Sequence, residues 1–235
     1  KLILINFINI IVVLIAHKVI LPSSKALNLY IRKYIYLNKY FLFSPLIFID
    51  ESSNLYKYNN KKYFSYIGTI AEDHAFICYI QFVEESLKKN WFPDLIYLIA
   101  TKSKIPLNIK AAIKSYIENG RVVLQEGRPM LNSEINAYYR DSIIVWNAYN
   151  RSMQSGVLPK AYMFGSAVVG TFQCNNEFIE NHVTGVLVHD NTSIFDLRNA
   201  VKEIIDNKNY FAENCRTKFF EIFYYKVRSK DFISV

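Results

Sequence analysis

Gln154-Ser-Gly-Val-Leu-Pro-Lys-Ala-Tyr-Met-Phe-Gly165 is the stretch of this chain whose residue types could do chemistry. A small glycine-containing turn opens a helix there, and the helix stops at a glycine. Free backbone N–H groups at a helix amino end, together with the helix dipole, hold an anion without a metal. Ser155 is placed to cap the helix and Gly156 to let a ligand approach the backbone, with Gln154 and Val157 on either side. Arg151, on the loop leading into the turn, would neutralise charge developing on a leaving group. Beyond the helix come Ala167-Val-Val-Gly170, an acid at Glu177, and Thr184-Gly-Val-Leu-Val188. Each feature has a plainer alternative: an ordinary helix start in a βα unit, a solvated loop arginine, or an acid favoured by a helix amino end.

Two further places could contact an anion. In Gly68-Thr-Ile-Ala-Glu-Asp-His74, a loop after a strand ends in a histidine, which can donate a hydrogen bond to a phosphate oxygen. The alternative for His74 is a first-turn residue of the next helix, without a ligand. Arg128 follows another strand, on a loop at the carboxyl edge where α/β sheets bind ligands; a solvated arginine is the alternative. Metal ligation is not expected. His182 and His189 do not pair with cysteines or carboxylates at ligand spacing, and no Asp-x-Asp is present. No strand leads into Gly-x-Gly-x-x-Gly, and neither a P-loop lysine nor a Gly-x-Ser-x-Gly elbow occurs.

Positioning these residues calls for a scaffold of alternating elements. Strands are predicted at 63–68, 95–100, 121–125, 142–146, 167–170 and 185–188. Helices are predicted at 73–88, 106–118, 133–139, 154–164, 177–181 and 194–206, with a last one at about 210–227. Apolar strands alternating with helices mean a parallel sheet covered on both faces. The region before Lys62 differs, with two helices, a strand, an apolar run at 40–49 and a polar, linker-like stretch at 50–62. Leu2 to Ala16 is almost wholly apolar but shorter than the ~20 residues a membrane span needs. No small-residue cleavage site follows it, so a buried helix followed by a buried strand is expected.

The order of turn, helix, strand, acid and strand from Gln154 to Val188 resembles the donor-binding half of GT-B glycosyltransferases of the group 1 type (family 4-like). There the pattern is a glycine-containing turn, a helix, "G-x-P-V-V", "G-x-x-E" and "x-G-x-L-V". The resemblance spans Tyr63 to Val227. It implies an α/β fold: a Rossmann-like donor domain at 62–227, an acceptor-domain remnant with linker at 1–61, and a tail at 228–235. It also implies transfer of a sugar from a nucleotide-diphosphate donor to a glycan or lipid-linked acceptor in surface polysaccharide biosynthesis, at the cleft between two domains. Arg151 and His74 take catalytic roles in this reading, and Gly68, Gln154, Ser155, Gly156, Val157, Glu177 and Arg128 bind the donor. No cofactor is implied beyond the donor itself. Many such enzymes carry two glutamates, the second opening "E-A-M-A-x-G"; here those columns hold Ser152 or Met153 and Lys160. A surface-polysaccharide branch with "Q-S-G-V" lacks them too, and this chain resembles it most. The alternative is a non-catalytic nucleotide-binding or scaffold domain derived from such an enzyme.

Composition bounds the remaining classes. With 51% hydrophobic and 20% charged residues, the 235-residue chain can bury a sizeable core. Its net charge of +8 is scattered, which suits peripheral contact with an anionic membrane and excludes a nucleic-acid stripe. The three cysteines, Cys78, Cys174 and Cys215, lie far apart and fit free thiols in the cytoplasm. The chain does not begin with methionine and is expected to be part of a longer protein. Without the rest of the acceptor domain it should be inactive yet able to bind nucleotide.

Overall fold

The computed structural model describes residues 2–36, 41–52, 61–148, 155–172, 177–189 and 193–233. The chain divides into two compact units, one built on Lys1–Leu46 and the other on Ile47–Arg151 with Ser155–Val235. In the first, α1 (Leu2–Ile15), β1 (Val19–Leu21), α2 (Ser24–Lys33) and β2 (Phe41–Phe43) surround a small core of Val13, Leu21, Ala26 and Phe41. β1 and β2 pair in parallel, Val19 opposite Phe41. Ser23 caps α2 by accepting the Ala26 N–H at 3.1 Å. The expectation that α1 is buried is corrected. Val13 is buried, but Phe7, Val12, Leu14 and Ile15 are exposed, because this small core can cover only one stripe of a helix that is apolar all round.

The second unit alternates strand and helix: β3 (Tyr63–Ile67), α3 (Phe76–Lys88), β4 (Ile96–Ala100), α4 (Leu107–Glu118), β5 (Val122–Gln125), α5 (Asn132–Arg140), β6 (Ser142–Asn147), α6 (Val157–Met163), β7 (Ala167–Thr171), β8 (Gly185–Val188), α7 (Ile194–Asp206), α8 (Lys208–Lys218) and α9 (Tyr225–Ile233). Its six strands pair in parallel in the order β5-β4-β3-β6-β7-β8. Side chains alternate across the sheet, so each face has its own core. Phe64, Tyr66, Tyr97 and Trp146 pack against Phe76, Tyr79 and Phe82 of α3. On the other face Ile67, Leu98, Val145 and Val168 meet Leu158 and Tyr162 of α6 and, further along, Phe219 and Phe223.

Two local expectations fail. No helix forms at 177–181 among the described residues. The Asn181 carboxamide oxygen instead accepts the Leu187 N–H at 2.8 Å, and the Thr184 hydroxyl accepts the Glu180 N–H at 2.9 Å. Side chains that bond nearby backbone in this way compete with a helix. The single last helix is also interrupted. α8 passes into a π-helical turn at Phe219–Phe223, Tyr224 is extended, and α9 resumes to Ile233, through much of the expected tail. The cause is Phe48, which bridges Tyr224: its N–H donates to Phe223 O at 2.8 Å and its O accepts from the Tyr225 N–H at 3.0 Å. Segment 47–52 thus packs with the second unit, and the unit boundary falls before the polar stretch rather than at 61/62. Asp50 pairs with Arg216 at 3.0 Å and Glu51 with Lys160 at 2.8 Å.

Candidate functional site

In the order β5-β4-β3-β6-β7-β8 the chain runs outward one way from β3 and the other way from β6. β3 and β6 are therefore the topological switch point. The carboxyl ends of strands at such a point are where α/β sheets bind ligands.

Gly68 follows β3 with φ 144°, in the region that favours glycine. The loop it starts closes on itself. Thr69 O accepts from the Tyr66 hydroxyl at 2.9 Å and from His74 Nδ1–H at 2.5 Å. His74 is 7% exposed, in a 3-10 turn, Glu72–His74, that ends at Ala75 with a left-handed φ of 48°. Because Thr69 O can only accept, the proton sits on Nδ1; Nε2 lies 3.6 Å from Asp73. Trp146 Nε1–H donates to His74 O at 3.2 Å and ties this loop to β6.

Ser155, Gly156 and Val157 follow β6 on the same edge. The Val157 N–H donates to Ser155 Oγ at 3.3 Å, so Ser155 holds the first N–H of α6 from two residues away. Gly156 takes helical angles, φ −64° and ψ −10°. Among the described residues, a Cβ added there would meet the Phe48 ring edge, at 3.9 Å. Neither backbone conformation nor packing against the described residues demands a glycine at this position.

Gly68 thus follows β3, and Ser155, Gly156 and Val157 come after β6 in sequence, the two adjacent strands at the switch point, with His74 on the loop that Gly68 starts. Arg151 and Gln154 lie outside the described residues. Arg128 is two strands away, after the edge strand β5, and its guanidinium is engaged by Glu134 at 2.6 and 3.0 Å. That hydrogen-bonded pair pulls the Glu134 carboxyl down to about 2. Glu177 is exposed, in a turn after β7. Among the described residues no group of three or more histidines, cysteines or carboxylates could hold a metal ion, and no helix is long and apolar enough to cross a membrane.

Three features escaped the sequence reading. Asn147 and Thr171 end β6 and β7 at this edge, and Asn147 Oδ1 and Thr171 Oγ1 are buried without a hydrogen-bond partner among the described residues. Their signal was a polar residue closing an apolar strand run. Lys160 was legible only as a departure from a pattern. Its ammonium donates to Glu51 at 2.8 Å, Asn136 Oδ1 at 2.7 Å and Asn132 Oδ1 at 3.2 Å. Burial alone would raise the Glu51 carboxyl, but hydrogen bonds from Lys160 and Asn136 hold it below its usual range.

The architecture is that of the Rossmann-like carboxyl-terminal domain of GT-B proteins, and the solved structures it is similar to include glycosyltransferases. A glycosyltransferase from Rickettsia africae is 14% identical, with a TM-score of 0.71 over 92% of this chain and 62% of its own. HepE from Anabaena, solved in complex with UDP, is 13% identical, with a TM-score of 0.71 over 93% and 63%. The carboxyl-terminal domain of a group 1 glycosyl transferase from Francisella tularensis is 18% identical, with a TM-score of 0.55 over 73% and 86%. The chain thus spans less than two thirds of the Rickettsia and Anabaena chains. No family model matches the sequence, and no match is found among curated proteins.

Proposed function

We propose that the second unit binds the nucleotide diphosphate of a sugar donor, and that the protein transfers this hexose-type sugar to a glycan or lipid-linked acceptor. The observation that carries the reading is the adjacency of β3 and β6 at the switch point, with the Gly68 loop leaving the first and the Ser155-Gly156 turn following the second in sequence. UDP is the first candidate nucleotide, since HepE is solved with it. On this reading the diphosphate lies against the backbone at Gly68 and Ser155 to Val157. Arg151 and Gln154 complete its surroundings, and Arg151 stabilises the leaving group as the glycosidic bond breaks. Asn147 Oδ1 can only accept a hydrogen bond, which suits a sugar or ribose hydroxyl rather than a phosphate oxygen. Glu177 is assigned to hydroxyls as well, and Arg128 to the border of the nucleobase. The reading calls for no metal or cofactor. A role in surface polysaccharide synthesis, at the cytoplasmic face of the membrane and through contact with anionic lipid, belongs to the same proposal and draws on the net charge of +8.

The test is thermal stabilisation by UDP, GDP, ADP and CMP with and without Mg²⁺. One nucleoside diphosphate is expected to raise the melting temperature without metal, and Arg151→Ala to abolish that shift. No shift with any of them removes the donor site. Gly156→Ala provides a second test. Because the added methyl has room, stability should change by less than about 1 kcal/mol, while nucleotide affinity falls at least tenfold if the ligand packs on this backbone. Unchanged affinity moves the ligand away from the turn.

A non-catalytic nucleotide-binding or scaffold role is favoured by one observation. Lys160, in the column where the resembled enzymes carry a glutamate, is committed to Glu51, Asn132 and Asn136. Turnover of any nucleotide-sugar by the full-length protein would exclude that role.

A further inference from the structure

The second unit has a cavity of about 290 Å³ at the opposite edge of its sheet, and nothing in the donor reading uses it. Lys62, Leu95 and Ile143 line it from just before β3, just before β4 and within the first residues of β6. Strands of about five residues separate it from the switch-point edge, roughly 16 Å at the usual rise per residue.

Its lining has two parts. Trp91, Phe92, Ile143 and Ile205 supply apolar surface. Lys62 and Lys208 supply positive charge, against the carboxylate of Asp94, the one acid among the described lining residues. Lys61 is buried, and its N–H groups are taken by Ser142 O, Phe164 O and Ser166 Oγ, so it offers the cavity no donor. Lys62 is exposed, its ammonium 5.1 Å from the Tyr63 ring centre. Lys208 is exposed and its side chain has no hydrogen bond or ion pair among the described residues. Arg198 lies 5.3 Å from the Trp91 ring centre, and Lys89, paired with Glu85 at 2.6 Å, lies 5.5 Å from it. A lining with more exposed lysines than carboxylates, beside aromatic surface, selects an anion with a flat apolar body. The volume, at the low end of the roughly 300–1,000 Å³ of small-molecule sites, admits one ring and one phosphate group.

We propose that this cavity binds a phosphate monoester carried on a small apolar body, with Lys62 and Lys208 on the phosphate and Trp91 and Phe92 on the body. Such a group could belong to a soluble compound or to a lipid headgroup. The inference does not depend on the donor site, because the two sites lie at opposite edges of the sheet.

Tryptophan emission provides a local reading, since the chain has two tryptophans and the other, Trp146, is buried in the core. Phenyl phosphate titrated into the full chain should change the emission and saturate, while phenol at the same concentrations should not. Lys62→Gln with Lys208→Gln should weaken phenyl phosphate at least tenfold and leave UDP-induced stabilisation unchanged. Trp91→Phe should remove the signal. Phosphatidic acid vesicles form the second arm: a response to phenyl phosphate assigns a soluble ligand, and a lysine-dependent response to the vesicles alone assigns a lipid. No response in either arm, or one that survives both the lysine pair and Trp91→Phe, overturns the proposal.

Discussion

Gly185→Ala is expected to cost at least about 3 kcal/mol of stability, beyond the usual range for one added methyl in a core. A Cβ at Gly185 would stand 2.3 Å from the carbonyl oxygen of Val168 and 2.7 Å from its Cγ2. The first contact decides the outcome, because it is backbone. Gly185 lies opposite Val168 in the β7–β8 register, and β7 is fixed on its other side by pairing with β6 through Val145 and Val168. β7 cannot yield, so β8 must move out. It then surrenders its ladder and withdraws Val186 and Val188 from the core. Gly170 makes a useful contrast within the same pair of strands. Its Cβ would meet the Ile179 Cδ1 at 2.8 Å and the Leu187 Cδ2 at 3.2 Å, both ends of flexible side chains. Gly170→Ala should therefore cost only about 1 kcal/mol. Urea unfolding of the two variants measures both. A cost under about 1 kcal/mol at Gly185 would mean that β8 adjusts freely and that the β7–β8 edge is looser than its register implies.

The glycine in Thr184-Gly-Val-Leu-Val188 illustrates what the sequence could and could not convey. Its place in an ordered pattern was readable, but its reason, a neighbouring carbonyl oxygen, is a tertiary contact. Strands were legible because burial on both faces leaves continuous apolar runs: Leu95 to Ala100 for β4, Ser142 to Trp146 for β6. The same cue misled at α1, where an unbroken apolar run implied burial and the small core covers one stripe. Periodicity also missed the break after α8, since Phe48 lies far from Tyr224 in sequence and yet sets it. At the site, Gly68 and the Ser155 turn could be read as loop residues. That they follow adjacent strands comes from strand order, which no local pattern carries. Lys160 and Glu51, 109 residues apart, could not be paired from either end.

Lys61 was read as part of a polar linker, and its burial leads to the second large effect. From pH 7 to 8.5 the protein should gain about 1.5 kcal/mol of stability through this side chain. Burial pushes the Lys61 ammonium down from its ordinary value to about 7, with Cys215 and Asp141 opposing the change. The folded chain therefore begins to shed this proton near neutrality, while the unfolded chain holds it until about 10.5. Between those limits the unfolded state binds more protons, so stability rises with pH and is lost as pH falls through 7. The rise cannot continue far. Burial also pushes up the Cys215 thiol and the Tyr79, Tyr97 and Tyr162 hydroxyls, Tyr97 to about 12. Each of these ionises first in the unfolded chain, which turns the curve down above about pH 9. Lys61→Met tests the assignment, since methionine fills similar volume without a titrating group. Its stability should be flat between pH 7 and 8.5, though the Phe164 and Ser142 carbonyls lose a donor. A variant whose pH profile parallels that of the parent would show that Lys61 stays charged in the folded protein throughout. Its three oxygen partners, one for each ammonium proton, would then outweigh desolvation.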